Sequence, residues 1–375
     1  MTETVLTNAR LILPERVMNG HIVLRDGKIA ELGDGPAHGH DMQGDFVAPG
    51  LVELHTDNLE RHIRPRPQVD WPHPQAILAH DAELAGTGIT TVFDALRVGS
   101  IRWRPNYGAY ARALSREIDA VRAAGLLRIS HHLHLRAEIC SETLVEELAQ
   151  FGPGDRVRLV SIMDHTPGQR QLRDVTLARK FIAARSGMSA DEVVDFDRRL
   201  RALRADKGPE NEKAAFDFAR AVGAVVASHD DTTKDHVASS AARGIRLAEF
   251  PTTPEAARAC RDHGIRIVMG APNLIRGGSH SGNVDAATLA RDDLLDIVSS
   301  DYVPAALLNA GLLLARLWDD LPRGVATITA TPADAVGLAD RGRLAPGLRG
   351  DLIRFRVHED AAVLRGTWVA GARVA

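Results

Sequence analysis

Short apolar runs alternate with longer amphipathic stretches through the middle of the chain. Runs at Leu51–His55, Thr90–Asp94, Arg128–Leu135, Val157–Met163, Ala224–Ser228, Arg246–Phe250, Arg266–Gly270 and Asp296–Ser299 read as strands. Helix-like stretches such as Ala109–Ala124, Pro254–His263 and Val303–Leu317 lie between them. Alternating β and α with eight strand candidates predicts an α/β fold, a (β/α)8 TIM-like barrel. The competing layout is an open doubly wound sheet. That fold announces itself with a glycine-rich phosphate loop after its first strand, and none is present there.

The two ends of the chain read differently. Residues 5–13 and 21–32 form short β-like runs, and Asp26-Gly27 between Val23-Leu24 and Ile29-Ala30 is a hairpin turn. Near the C-terminus, Gly350-Asp351 leads into Leu352-Ile353-Arg354-Phe355, and Thr367-Trp368-Val369-Ala370-Gly371 supplies a last strand and turn. A small β-sandwich domain is expected from residues 1–49 plus 342–375, around a barrel of residues 50–341. Residues 171–222 are highly charged, and Arg198-Arg199-Leu200-Arg201-Ala202-Leu203-Arg204 is helix-like. This segment is expected as a helical insertion with a solvated charged face; a basic platform for phosphates is the lesser reading.

Composition narrows the class. The chain of 375 residues can bury a large core, and 45% apolar with 25% charged residues is ordinary for a soluble domain. A net charge of −3 gives no field to recruit nucleic acid or an acidic membrane. Two cysteines, Cys140 and Cys260, exclude a disulfide framework and a cysteine-rich zinc site, and suit a reducing compartment. The N-terminus lacks a signal-peptide pattern and no run approaches membrane-spanning length, so a cytoplasmic protein is expected. A homo-oligomer remains open.

In such a barrel, chemistry gathers at the C-terminal ends of the strands. The first strand candidate ends in His55-Thr56-Asp57, with the two donors spaced to point the same way on an extended chain. The third carries His132, His134, Arg136 and Glu138 at period two. The fourth ends in Met163-Asp164-His165, the fifth in Ser228-His229-Asp230-Asp231, and the eighth in Ser299-Ser300-Asp301-Tyr302. Each has a bland reading alone: a core histidine, or an aspartate capping a helix. Five such ends together point to a site for two divalent metal ions. Zinc is the first expectation, with manganese or iron as alternatives, since an aspartate donor also suits harder cations.

The arrangement resembles the amidohydrolase superfamily, with Gly342-Arg343-Leu344-Ala345-Pro346-Gly347-Leu348-Arg349-Gly350-Asp351-Leu352 similar to that family's return into its small domain. The resemblance implies His55, Asp57, Glu138, His165, His229 and Asp301 as metal ligands. Many members bridge their metals with a carbamylated lysine. The five lysines here, Lys28, Lys180, Lys207, Lys213 and Lys234, all fall outside the strand candidates of the barrel. Glu138 is therefore expected as the anionic bridge, as in other members. Two departures stand out: Asp57 replaces a second histidine, and His165 and His229 fall on the fourth and fifth strands where the family uses the fifth and sixth. A shifted frame would bring His132 or His134 into the ligand set.

Metal-bound hydroxide is the expected nucleophile, with Asp301 as the catalytic residue that orients it and moves its proton. The loops around it favour phosphate. Arg61-His62-Ile63-Arg64-Pro65-Arg66-Pro67 follows the first strand, and Thr166-Pro167-Gly168-Gln169-Arg170 follows His165. The loop after the seventh strand holds Arg276-Gly277-Gly278-Ser279-His280-Ser281-Gly282-Asn283. Arg64, Arg66, Arg170, Arg276 and His280 are the candidate phosphate-binding residues, with Lys180 and Lys234 as weaker ones. These strings, with Glu249-Phe250-Pro251-Thr252-Thr253, are similar to one diphosphatase branch of the superfamily in the carbon–phosphorus lyase pathway. The resemblance implies a small-molecule phosphorylated sugar as partner, a ribose 5-triphosphate cleaved to the 5-phosphate and diphosphate. The alternatives are hydrolysis of a C–N bond in a cyclic amide or deaminase substrate, and a catalytically silent binding scaffold. A nucleophilic serine or cysteine relay is disfavoured, because no nucleophile elbow is present.

Overall fold

The computed structural model describes residues 3–375 apart from 105–106, 177–178, 180–181, 184–186 and 280. Lys180 and His280 thus lie outside the described residues. The chain opens with strands β1 (Glu3–Ile12), β2 (Val17–Arg25), β3 (Lys28–Asp34), β4 (His40–Asp41) and β5 (Phe46–Pro49). It closes with β14 (Leu352–His358), β15 (Ala361–Val369) and β16 (Ala372–Arg373). These strands form a single mixed sheet in the order β16-β15-β14-β5-β1-β2-β3, with β4 beside β1. The turn between β2 and β3 is the expected Asp26-Gly27 pair, both at positive φ as a two-residue hairpin requires. Asp45 is fully buried, and Arg354 (2.6 Å), Arg356 (2.7 Å) and Arg365 (3.1 Å) close on its carboxylate. This cluster ties the two chain ends together and leaves no unpaired buried charge.

Gly50 carries the chain from this sheet into the barrel. A Cβ at Gly50 would lie 2.2 Å from the Thr90 hydroxyl oxygen, so the close approach of the two segments requires glycine. Eight parallel strands follow: β6 (Leu51–Thr56), β7 (Ile89–Val98), β8 (Ser130–Glu138), β9 (Val157–Met163), β10 (Val225–His229), β11 (Leu247–Glu249), β12 (Arg266–Gly270) and β13 (Ile297–Ser299). The last meets the first through Asp57 N–H to Asp301 C=O (3.0 Å) and Asp301 N–H to His55 C=O (3.2 Å). All eight expected strands are present, and the described residues add no ninth to the barrel, so His165 follows the fourth and His229 ends the fifth.

Alternation along β8 sorts its side chains. Leu133, Leu135 and Ala137 pack outward with Leu114, Ile118 and Val121 of the helix Ala111–Ala123. The intervening His132, His134, Arg136 and Glu138 face the lumen. The lower lumen is apolar, filled by Val52, Leu54, Phe93, Leu159, Ala227, Leu247, Val268 and Ile297, with Ala333, Val336 and Leu338 packed on them. His132, packed on Phe93, lies among these apolar residues, while the other polar side chains of β8 gather toward the opposite mouth.

The charged segment between β9 and β10 contains the helix Ala190–Val222, started by a Ser189–Glu192 capping box and ended by Gly223 in the left-handed conformation. It packs Phe196 and Leu200 against Ile101 and Cys140, beside the loops that follow β7 and β8. Both cysteines are buried and unpaired. Among the described residues, no helix is long and apolar enough to cross a membrane.

Candidate metal centre

Three histidines share one pattern at the barrel mouth. His55 Nδ1 lies 3.0 Å from Glu249 Oε1, His165 Nδ1 2.5 Å from Glu138 Oε2, and His229 Nδ1 2.9 Å from Asp230 Oδ2. Their rings are neighbours: His55 and His229 stand 5.7 Å apart between centroids, His165 and His229 6.0 Å. Donor atoms of His55, Asp57 and Asp301 lie within 4.8 Å of one another, as do those of His165, His229 and Asp230. A third close group is His55, His134 and Glu249.

The backbone is bent to make this possible. Asp230, Phe250 and Asp301, each just past a strand end, adopt left-handed φ of 57°, 55° and 56°. Such conformations are costly for residues with a side chain and persist where the surroundings enforce them. Glu53 is one enforcer: its buried carboxylate accepts from the backbone N–H groups of His55 (2.7 Å) and Ser300 (2.6 Å) and from the Ser299 hydroxyl (2.8 Å). Neither Asp230 nor Asp301 caps a helix. Thr233 caps the helix Lys234–Ala242, and the helix Ala306–Trp318 has no side-chain cap.

Acidic groups outnumber fixed cations here. Asp57, Glu138, Asp230, Glu249 and Asp301 crowd the mouth; the permanently charged Arg136 stands among them, its Nη1 2.8 Å from Asp57 Oδ1, and Arg170 acts on Asp230 from the end of β10. Burial resists ionisation of Glu249, yet His55 and His134 hold its carboxyl far below the usual range. Burial also opposes ionisation of Asp57, and Arg136 with His55 outweighs it. For Asp301 burial prevails and pushes the carboxyl up. Among the described residues, His229 Nε2 and Glu249 Oε2 are buried without a hydrogen-bond partner. Orphaned buried acceptors beside surplus carboxylate fit a divalent cation.

The expected residues divide by position. His55, Asp57, His165, His229 and Asp301 converge. Glu138 reaches His165 and also accepts from the Tyr107 hydroxyl (3.3 Å) and the backbone N–H of Cys140 (3.2 Å). His134 is spoken for: its Nδ1 faces the Leu54 carbonyl at 3.0 Å and its Nε2 the Ser161 hydroxyl at 2.9 Å, and burial pushes its pKa down to about 3. His132 packs on Phe93 deeper in the barrel, and burial likewise lowers its pKa to about 3. Arg64 is exposed and paired with Asp70 at 3.2 Å. Arg66 is exposed with only its backbone bridged to Val69, and Arg276 is exposed at the end of the helix Ala271–Arg276. Arg170 bonds the His229 carbonyl at 2.9 Å and the Asp231 carboxylate, so it braces the end of β10. Lys234 starts a surface helix. Tyr107 carries no signal in the sequence, and Asp230 and Glu249 stand in quoted strand-end strings without an assigned role at the centre. A carboxylate inside the short apolar run Arg246–Phe250 was the available signal for Glu249.

No family model matches the chain. It is 39% identical to alpha-D-ribose 1-methylphosphonate 5-triphosphate diphosphatase of Escherichia coli (strain K12), over 99% of this chain and 100% of that protein. Among solved structures, 5-methylcytosine deaminase from Klebsiella pneumoniae superposes with a TM-score of 0.64 at 18% identity, covering 99% of this chain and 98% of that one. Molinate hydrolase superposes with a TM-score of 0.66 at 12% identity, covering 99% and 94%. The structural likenesses establish the fold, and the full-length sequence likeness establishes the family. The chain belongs to the family of alpha-D-ribose 1-methylphosphonate 5-triphosphate diphosphatase.

Proposed function

We propose that this chain is a divalent-metal-dependent diphosphatase of phosphonate catabolism. Its substrate in this reading is alpha-D-ribose 1-methylphosphonate 5-triphosphate, cleaved to the 5-phosphate and diphosphate. The observation that carries the reading is the full-length identity of 39% to a protein of that name, in a chain that keeps the donor cluster at its barrel mouth. His55, His165 and His229 would hold the metal, two ions in the sequence-based expectation and zinc as the first choice, with Asp57 and Asp301 as anionic donors. When bound, the metal supplies Lewis acidity and lowers the pKa of water.

The chain's own groups supply the rest. Glu249, Glu138 and Asp230 each accept a ring N–H, which fixes the imidazole tautomer and leaves Nε2 facing the centre. Asp301, with its raised pKa, is placed to take a proton from the attacking water and return it to the leaving diphosphate. Arg136 holds Asp57 in place and leaves positive charge beside the growing charge on the phosphoryl oxygens. The test is incubation of metal-loaded protein with the ribose 5-triphosphate, with diphosphate release measured by phosphorus NMR. Diphosphate in equal amount to the 5-phosphate supports the reading. Release of single phosphates, or turnover only of cyclic amides or aminopyrimidines, contradicts it.

A further inference from the structure

We propose that the end of β7 and the loop after it build a polyphosphate-binding shelf from Arg97, Arg104 and Tyr107, set directly against the metal centre. The Tyr107 hydroxyl lies 3.3 Å from Glu138 Oε2, and Glu138 in turn holds His165 at 2.5 Å. Against the Tyr107 ring lie two guanidinium groups, Arg97 at 3.9 Å and Arg104 at 4.2 Å from its centroid. Arg104 also faces Phe196 at 5.5 Å, so the helix Ala190–Val222 walls the shelf on that side.

Neither guanidinium has a carboxylate partner among the described residues, although most other arginines near the mouth do. Arg97 spends its donors on the carbonyls of Gly99 and Gly108 (3.0 Å for the second), so it contributes charge while bracing the loop. Arg104 makes no hydrogen bond through its side chain among the described residues and is half-buried. A guanidinium stacked on an aromatic ring uses its face and keeps its in-plane N–H fork free for a bidentate anion. Two cations without a direct carboxylate partner among the described residues, beside an acidic metal centre, divide the work. The centre takes the phosphorus under attack, and the shelf takes the neighbouring anionic groups of the same chain. The inference rests on the triphosphate reading only for the identity of the anion.

The test uses inorganic tripolyphosphate as probe, titrated by calorimetry into chelator-treated full-length protein so that the metal plays no part. Wild type should bind it, with affinity falling steeply as salt rises. Arg104→Gln should weaken binding roughly 10- to 100-fold, the loss of a charge-assisted bidentate contact. Arg16→Gln, at an exposed arginine in the turn between β1 and β2, should leave binding unchanged. Full-strength binding by Arg104→Gln, an equal loss in Arg16→Gln, salt-independent binding or no binding by wild type would each overturn the shelf. The salt dependence is read on wild type and stands even if the variant does not fold. Diphosphate release by metal-loaded wild type is measured separately. Its absence beside shelf-dependent binding removes the substrate reading and leaves the shelf.

Discussion

Replacing Asp94 with asparagine should change how stability depends on alkaline pH. Asp94 is buried on the outer face of β7, where it accepts from His80 Nε2 at 2.9 Å and His131 Nδ1 at 2.8 Å. The other ring nitrogen of His131 lies 3.3 Å from Asp81. Burial alone would keep His131 neutral, but the two carboxylates outweigh it and push its pKa up to about 9, from 6.5. A folded-state pKa above the unfolded one means the proton stabilises the fold. That stabilisation is complete below pH 6.5, shrinks as pH rises toward about 9 and is gone above it. The shift corresponds to about 3 kcal/mol. Removing the Asp94 charge should cost roughly 3–5 kcal/mol near neutrality and flatten the alkaline loss. Urea unfolding followed by circular dichroism at about pH 6 and about pH 9.5 reads both effects, and comparison with wild type cancels the titration of surface groups. Parallel losses of stability in the two proteins over that interval would refute the account of His131.

Other outcomes follow from the mouth of the barrel. Glu249→Gln removes the charged partner of His55 Nδ1, so metal affinity by chelator competition should fall about 10- to 100-fold while the apo protein melts normally. Unchanged affinity would mean that Glu249 neither orients His55 nor binds metal. Asp301→Asn should lower kcat by roughly 100- to 10,000-fold with little change in KM, read by steady-state kinetics on metal-saturated enzyme. A KM effect alone would assign Asp301 to binding. Gly99→Ala should destabilise the loop that carries the shelf. At φ 94° its Cβ would meet the Glu138 carbonyl at 2.8 Å, and a cost of about 1–3 kcal/mol is expected in thermal or urea melts.

Much of the barrel was legible because its strands are apolar runs broken by turns. The Arg266–Gly270 and Val157–Met163 strands coincide with expectation. Strands β7 and β8 run further than their apolar runs, to Val98 and Glu138. In β8 the upper lumen is lined with polar residues, so hydrophobicity stops before the strand does; in β7 the buried Asp94 interrupts an apolar run that resumes at Ala95 and Leu96. The period-two polar residues of β8 showed which face was inward, but not that His134 is used up by Leu54 and Ser161. Glu249 stands in a quoted string, but a single carboxylate in a strand carries no spacing signal that would assign it to the centre. The arginines were the least legible part. Charge counts located basic loops, but Arg170 finds Asp231, 61 positions away in sequence, and only the fold brings them together. Arg104 gave no motif at all, since its meaning lies in a stacking partner and a missing acid.

In the proposed function, imidazoles from the ends of three barrel strands, with Asp57 and Asp301, enclose a divalent cation. Anomalous diffraction from crystals of the zinc-loaded protein tests it most directly. The account predicts metal peaks within bonding distance of the Nε2 atoms of His55 and His229, in reach of Asp301. Peaks elsewhere, or none at a zinc concentration that saturates binding in solution, would contradict it.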